Sequence, residues 1–127
     1  MKMLKNLIGA QLVEFDTDHF VVRDSNGHIL NFVFEQDEGD CCGYNDLENT
    51  LLISKDELAK NPVITKVEQC EDSDFNYEEH VVITFFGEAK KLAQIDSTSA
   101  SGSGWCYGAC VTLKCIQTGD EEYITSW

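Results

Sequence analysis

The chain has 127 residues, of which 43% are hydrophobic, and its 23 Asp and Glu against 9 Lys and Arg give a formal net charge of −14. This length favours one domain over residues 1–127 with a single hydrophobic core, and the apolar content argues against a disordered chain. The charge argues against direct binding to nucleic acid or to anionic membranes, because both require cationic side chains. Without a 20-residue apolar stretch or a recognisable leader, we expect a cytoplasmic protein.

The first third of the chain predicts an antiparallel meander. Residues 11–15, 19–24 and 29–35 alternate apolar and polar positions or are rich in β-forming residues, as strands are. Between the second and third strands, Asn26-Gly27 predicts a two-residue type I′ hairpin, in which both residues take a positive φ.

A short helical insert is predicted after residue 46. Asp46 is a candidate cap for a short turn over residues 47–52. Ser54 and Glu57 have the spacing of a capping box, in which each side chain satisfies a main-chain amide at the start of a helix. Pro62 ends that helix by moving Asn61 out of the helical region.

The remainder of the chain predicts a second β half. Strands are expected over residues 63–70, 80–86, 90–96, 109–116 and 121–127, with an acidic loop over 71–79 and a flexible loop over 97–104. The predicted fold class is therefore α+β and mostly β. Two antiparallel meanders joined by a short helical insert form a curled sheet, either a half-barrel or a sandwich.

The six cysteines are predicted to be reduced and to bind no metal. No Cys-x2-Cys pair is present, which is the spacing that structural zinc sites favour. Cys110 and Cys115 differ in parity on their strand, so they are expected to point to opposite faces. We predict no cofactor and no metal site. The cysteines are Cys41, Cys42, Cys70, Cys106, Cys110 and Cys115.

No residue pattern indicates an enzyme. Carboxylates surround Cys41 and Cys42, and they raise the pKa of a thiol rather than activating it. His19, His28 and His80 fall at strand ends, and the chain has no phosphate-binding or hydrolase motif. We therefore predict no catalytic residue.

Two loops are the candidate binding segments. Trp105 and Tyr107 lie between glycines and resemble aromatic anchors of an interface. Residues 39–46 carry the paired thiols and an exposed aromatic candidate, and we expect the two loops to lie at the same end of the sheet. The predicted binding residues are Asp40, Cys41, Cys42, Tyr44, Trp105 and Tyr107, and the predicted acidic surface is Glu71, Asp72, Asp74, Glu78 and Glu79.

The segment Gly39-Asp40-Cys41-Cys42, which follows a meander that begins Leu7-Ile8-Gly9, resembles a family of small proteins from phages and prophages of Gram-positive bacteria. The family is known only as a domain of unknown function. Its second β half carries an Asn-Gly-Tyr-Tyr-Gly-Gly-like turn, to which residues 104–108 are similar. Gly43-Tyr44-Asn45 stands where the family usually has serines. The resemblance implies a phage setting and no established activity.

The function expected from these features is that of a small acidic interaction protein. We expect it to bind, and to inhibit, a host defence or nucleic-acid-processing factor that has a cationic surface. Its anionic surface also suits a mimic of nucleic acid that occupies a cationic groove. One alternative is a sponge for a nucleotide-like signal held between loops 39–46 and 102–108. A second is a metal-stabilised structural module, and the acidity also fits a role in solubility alone.

Overall fold

The structure is a computed structural model that describes residues 2–38, 43–74, 78–100 and 109–126, and only the main chain at 72–74. Within these ranges the chain forms nine strands and two one-turn helices. The elements are α1 (Lys2–Lys5), β1 (Gln11–Phe15), β2 (His19–Arg23), β3 (Ile29–Asp37), β4 (Tyr44–Leu51), α2 (Lys55–Leu58), β5 (Lys66–Asp74), β6 (Glu78–Phe86), β7 (Lys91–Ala100), β8 (Cys110–Cys115) and β9 (Glu121–Ser126).

The strands form two antiparallel sheets. Sheet A has five strands in the order β1-β2-β3-β8-β9, and sheet B has four in the order β4-β7-β6-β5. The prediction of a mostly β fold with two antiparallel meanders is confirmed, since β1-β2-β3 and β5-β6-β7 are both meanders. Neither sheet closes into a barrel. The β8-β9 hairpin returns to the first meander and pairs with β3.

The hydrophobic core joins the inward faces of the two sheets. Phe20 of β2 is fully buried and stacks on Phe32 of β3 with ring centroids 4.8 Å apart. It also meets Phe85 of β6 edge-on at 5.5 Å, and this contact links sheet A to sheet B. Such aromatic pairs add stability beyond the area that they bury.

The helical insert begins as predicted. Ser54 Oγ accepts a hydrogen bond from the Glu57 amide at 3.2 Å, which caps α2. Asn61 has a φ of 51°, so it lies outside the right-handed helical region as predicted, but in the left-handed region rather than in the extended one that a following proline favours. The helix α1 was not predicted; it buries Leu4 in the core. No described helix is both long and apolar enough to span a bilayer.

The hairpin at Asn26-Gly27 forms, but the predicted type I′ turn is wrong. Gly27 has a φ of 81°, whereas Asn26 does not have a positive φ. Asp24 determines the turn instead, because its Oδ1 accepts hydrogen bonds from the amides of Asn26 and His28. A side chain that bonds its own turn in this way competes with the two-residue geometry.

The predicted turn over residues 47–52 is wrong, since residues 44–51 form strand β4. Leu47 and Leu51 are four residues apart, which fits one face of a helix and equally fits one face of a strand. Both are partly buried against the core. Asn45 and Asn49 share that inward face, and tertiary hydrogen bonds of these two residues favour the strand.

Two predicted loops are also shorter than expected. The acidic loop 71–79 is mostly an extension of β5 and β6, which are paired to Asp74 and Glu78. The flexible loop 97–104 begins later, because β7 continues to Ala100. Ser97 and Ser99 are fully buried in β7, a position that their composition did not indicate.

Candidate functional site

The residues that flank both candidate loops lie together at one end of the molecule, called the loop end below. Asp37 pairs with Cys110, and Tyr44 and Glu78 each pair with Ala100. The chain therefore enters and leaves segments 39–42, 75–77 and 101–108 at this same end. The predicted binding residues Asp40, Cys41, Cys42, Trp105 and Tyr107 lie outside the described ranges, and their pairing stays a prediction.

Asn45 of β4 connects the strands at the loop end. Its Nδ2 donates to the carbonyl oxygens of Asp37 at 3.0 Å and Cys110 at 3.1 Å, both in sheet A. Its Oδ1 accepts from Ser99 Oγ at 2.7 Å in sheet B. Ser99 in turn shares a 2.8 Å hydrogen bond with Thr125 of β9. This hydroxyl and amide network crosses from one sheet to the other with each of these bonds satisfied, as buried polar groups require.

Gly43 lies directly beside the same strands. A side chain at this position would overlap the carbonyl oxygen of Glu38 and touch the side chain of Ala109. The close approach of the chain before segment 39–42 to the chain after it therefore requires glycine.

Sheet B presents a row of carboxylates to solvent. On β4, Asp46 and Glu48 are exposed and alternate with the inward residues. Glu48 is in register with Asp96 of β7, and Asp46 is in register with Thr98, which pairs with His80 of β6. We call the outward side of sheet B the acidic face, and its described carboxylates are Asp46, Glu48, Glu68, Glu78 and Asp96.

Few cations neutralise the acidic face. Lys66 Nζ lies 3.2 Å from Glu68, and His80 Nε2 lies 2.7 Å from Asp96. Among the residues that the structure describes, Asp46, Glu48 and Glu78 form no ion pair. Like charges on facing strands destabilise a sheet, so this arrangement costs folding free energy.

The predicted acidic surface is found on a hairpin rather than in a loop. Glu71 is exposed and accepts from Gln69 Nε2 at 3.0 Å. Glu79 accepts from the Ser126 amide at 3.1 Å, which ties β6 to β9. Glu78 begins β6, and Asp72 and Asp74 lie on β5 in register with His80 and Glu78.

Sequence reasoning missed four carboxylates of the acidic face, Asp46, Glu48, Glu68 and Asp96. They are spread over 50 residues of sequence, and only the pairing of β4, β7, β6 and β5 brings them to one side. The alternation Tyr44-x-Asp46-x-Glu48 is a local signal that could have identified two of them. Tyr44, the predicted binding residue that the structure does describe, is exposed at the loop end of this strand.

His19 and two neighbouring carboxylates form a separate titratable cluster at the β1-β2 turn. His19 Nδ1 bonds Asp18 Oδ1 at 2.7 Å, and its Nε2 lies 3.5 Å from Glu14. The Asp18 hydrogen bond raises the pKa of His19 and lowers the pKa of Asp18. Ligand atoms of Glu14, Asp16 and His19 come within 4.8 Å of one another. Exposed carboxylates beside an imidazole are common without a metal, so the prediction of no metal site stays a prediction.

The described thiols are free. Cys115 is buried and Cys110 is partly exposed, in agreement with their predicted opposite faces. Cys70 is exposed on β5, and its Sγ donates to Glu68 Oε1 at 3.9 Å. Cys41, Cys42 and Cys106 lie outside the described ranges.

A cleft of about 590 Å³ lies at the opposite end from the loops. Ile53, Val63 and Leu92 line it together with Lys60 and Lys90. The ammonium of Lys90 is paired with the carboxylate of Glu57. This cleft was not predicted, because its walls come from α2, the segment before β5 and the β6-β7 turn, which are far apart in sequence.

Comparisons with known proteins give a family without an assigned activity. No curated protein matches the chain, and no solved structure matches it. The model of a domain of unknown function, DUF7448, matches residues 5–113, which include every strand from β1 to β7 and most of β8. The chain therefore belongs to the DUF7448 family.

Proposed function

We propose that this protein is a small acidic interaction protein that uses its anionic surface to bind a host protein with a cationic surface, and that it inhibits this partner. The target class is a defence factor or a nucleic-acid-processing factor. The observation that carries the proposal is a set of carboxylates on the outward side of sheet B that form no ion pair with any described residue, namely Asp46, Glu48 and Glu78.

Electrostatics supports this use of the face. The net charge of −14 attracts a cationic protein over distances near the Debye length and raises the association rate. A cationic partner would also relieve the repulsion between Glu48 and Asp96, which are in register on neighbouring strands. The free energy lost in folding is then regained in binding.

The proposed setting is a phage or prophage protein acting in the host cytoplasm, and the resemblance of residues 39–42 supports it. The proposal assigns no catalysis to the chain. Among the described residues, each histidine lies beside a carboxylate of Asp18, Asp24 or Asp96, and none is paired with a cysteine, as a thiol nucleophile requires.

The test is a binding experiment at two ionic strengths. The tagged chain is used to capture proteins from a host lysate, and the captured proteins are identified by mass spectrometry. We expect a partner whose affinity falls steeply between low and high salt and whose activity is lost when the chain is added. Binding that does not change with salt would contradict the electrostatic basis of the proposal.

A nucleotide sponge remains the second candidate, and the common location of the flanks of both loops favours it. Tyr44 and Ala100 are paired main chains, so segments 39–42 and 101–108 start from adjacent positions. The surrounding carboxylates oppose it, because phosphate binding favours cations. In a thermal-shift panel of nucleotides, a true ligand at 100 times its Kd adds about 2.7 kcal/mol. No shift with any nucleotide would rule out this candidate.

A further inference from the structure

We propose that the acidic face acts as a mimic of nucleic acid and occupies the groove with which its partner protein binds nucleic acid. This inference rests on the proposed function and specifies the partner class: a protein with a cationic nucleic-acid-binding groove. Three properties of the face support it, namely the lack of a large exposed apolar residue at its centre, its charge density, and the lack of a described counter-ion for Asp46, Glu48 and Glu78.

The centre of the face is mostly polar. The outward residues between the carboxylates include Thr84, Gln94 and Thr98, together with the partly exposed Val82, which is in register with Asp96. Within the described side chains of sheet B strands, Tyr44 is the one large hydrophobic residue that is exposed, and it lies at the edge. Protein interfaces ordinarily have a buried apolar core with aromatic anchors. A partner for this face must therefore bind mainly by charge, as proteins that bind the phosphate backbone do.

The density of carboxylates approaches that of one nucleic-acid strand. The length of the face is measured along β6, from Glu78 to Thr84, which is in register with Glu68. These six residue steps span about 20 Å at about 3.3 Å per residue. The four strands are about 14 Å across at about 4.8 Å per interval. The face thus carries five carboxylates over a length in which one nucleic-acid strand carries about six phosphates, at a spacing of about 3.4 Å.

The lysine of the face lies at one end. Lys66 pairs with Phe86 in register and lies over its ring at 5.2 Å, which is the end opposite the loops. Towards the loop end, Asp46 and Glu78 have no described counter-ion. The negative potential therefore increases towards the loop end, which orients the face in a cationic groove.

The test combines paired variants with competitive elution. The full chain is immobilised and incubated with a lysate of a Gram-positive bacterium. Bound proteins are eluted either with a short single-stranded oligodeoxynucleotide or with sodium chloride at the same ionic strength. The double variant Asp46→Asn/Glu48→Gln tests the face. The double variant Glu35→Gln/Glu121→Gln, which makes the same charge change on sheet A, is the control.

We expect the oligodeoxynucleotide to release a protein with a nucleic-acid-binding domain under conditions where salt alone does not. We expect the sheet B variant to lower the affinity of that protein about tenfold, and the sheet A variant to lower it less than about twofold.

Each other outcome has a distinct meaning. Release by high salt but not by the oligodeoxynucleotide, or release of proteins without a nucleic-acid-binding domain, overturns the mimicry and leaves the proposed function standing. Equal losses for the two double variants overturn the assignment to the acidic face. A lack of any salt-sensitive capture overturns the proposed function itself.

Discussion

The outward sides of the two sheets differ in how far their carboxylates are paired with cations. On sheet A, Lys114 of β8 lies 3.5 Å from Glu121 and 3.9 Å from Glu35, so these two carboxylates share one lysine. On sheet B, Asp46 and Glu48 have none among the described residues. If the acidic residues served only to keep the protein soluble, carboxylates without ion pairs would be expected on the outward sides of both sheets. The difference indicates that the unpaired charge on sheet B is a local feature.

The largest expected loss of stability comes from removing the packing that holds the two sheets together. Phe20→Ala is expected to destabilise the fold by about 3–5 kcal/mol, because Phe20 is fully buried and contacts Phe32 and Phe85. Urea denaturation measures the change, with Tyr123→Ala as the control, since Tyr123 is 64% exposed. Equal losses for the two variants would contradict a shared core centred on Phe20.

A smaller loss is expected from Asn45→Ala. The change removes the donor to the Asp37 and Cys110 carbonyls and the acceptor for Ser99, so three hydrogen bonds are lost, although Ser99 keeps its bond to Thr125. We expect destabilisation of about 1–3 kcal/mol, together with faster amide exchange at the loop end of both sheets. Thr50→Ala, at an exposed position of the same strand, is the matched control. If amide exchange in the variant became faster in sheet B alone, Asn45 would not link the two sheets.

The charge difference itself predicts stability changes of opposite sign. Glu48→Gln removes a carboxylate that faces Asp96 and is expected to stabilise the protein by about 0.2–1 kcal/mol at low salt. Glu121→Gln removes a partner of Lys114 and is expected to destabilise it by about 0.2–1 kcal/mol. Chemical denaturation at low and high salt measures both effects, and salt should reduce them. Changes of the same sign would show that the two faces do not differ.

The smallest expected effect concerns pH. Asp18 raises the pKa of His19, so the stabilisation from His19 is present below its unfolded pKa and is lost as pH rises through the folded value. The pKa of Asp18 is lowered, so its stabilisation is lost as pH falls through its folded value. In an NMR titration, Asp18→Asn is expected to lower the pKa of His19, whereas Asp56→Asn leaves it unchanged. An unaltered pKa in Asp18→Asn would exclude this hydrogen bond.

The strands could be predicted where alternation and β-forming residues agree, as at 11–15, 19–23 and 29–37. The capping box at Ser54 could also be predicted, because it depends on two residues that are three positions apart. The prediction failed at β4, because Leu47 and Leu51 fit either period. It also failed at the end of β7, because Ser97 and Ser99 are stabilised by Thr125, which lies 28 and 26 positions further on. The acidic face depends on strand order, which no local pattern contains. It therefore could be found only from the structure.

The Asn45 network has a consequence for engineering. The bonds of Asn45, Ser99 and Thr125 hold the entry and exit strands of segments 39–42 and 101–108 without using those segments themselves. The sandwich is thus expected to serve as a display scaffold, in which residues 101–108 are exchanged for peptides of other sequence and length while the frame still folds. Longer inserts should cost little, because the entropy of closing a loop grows slowly with its length.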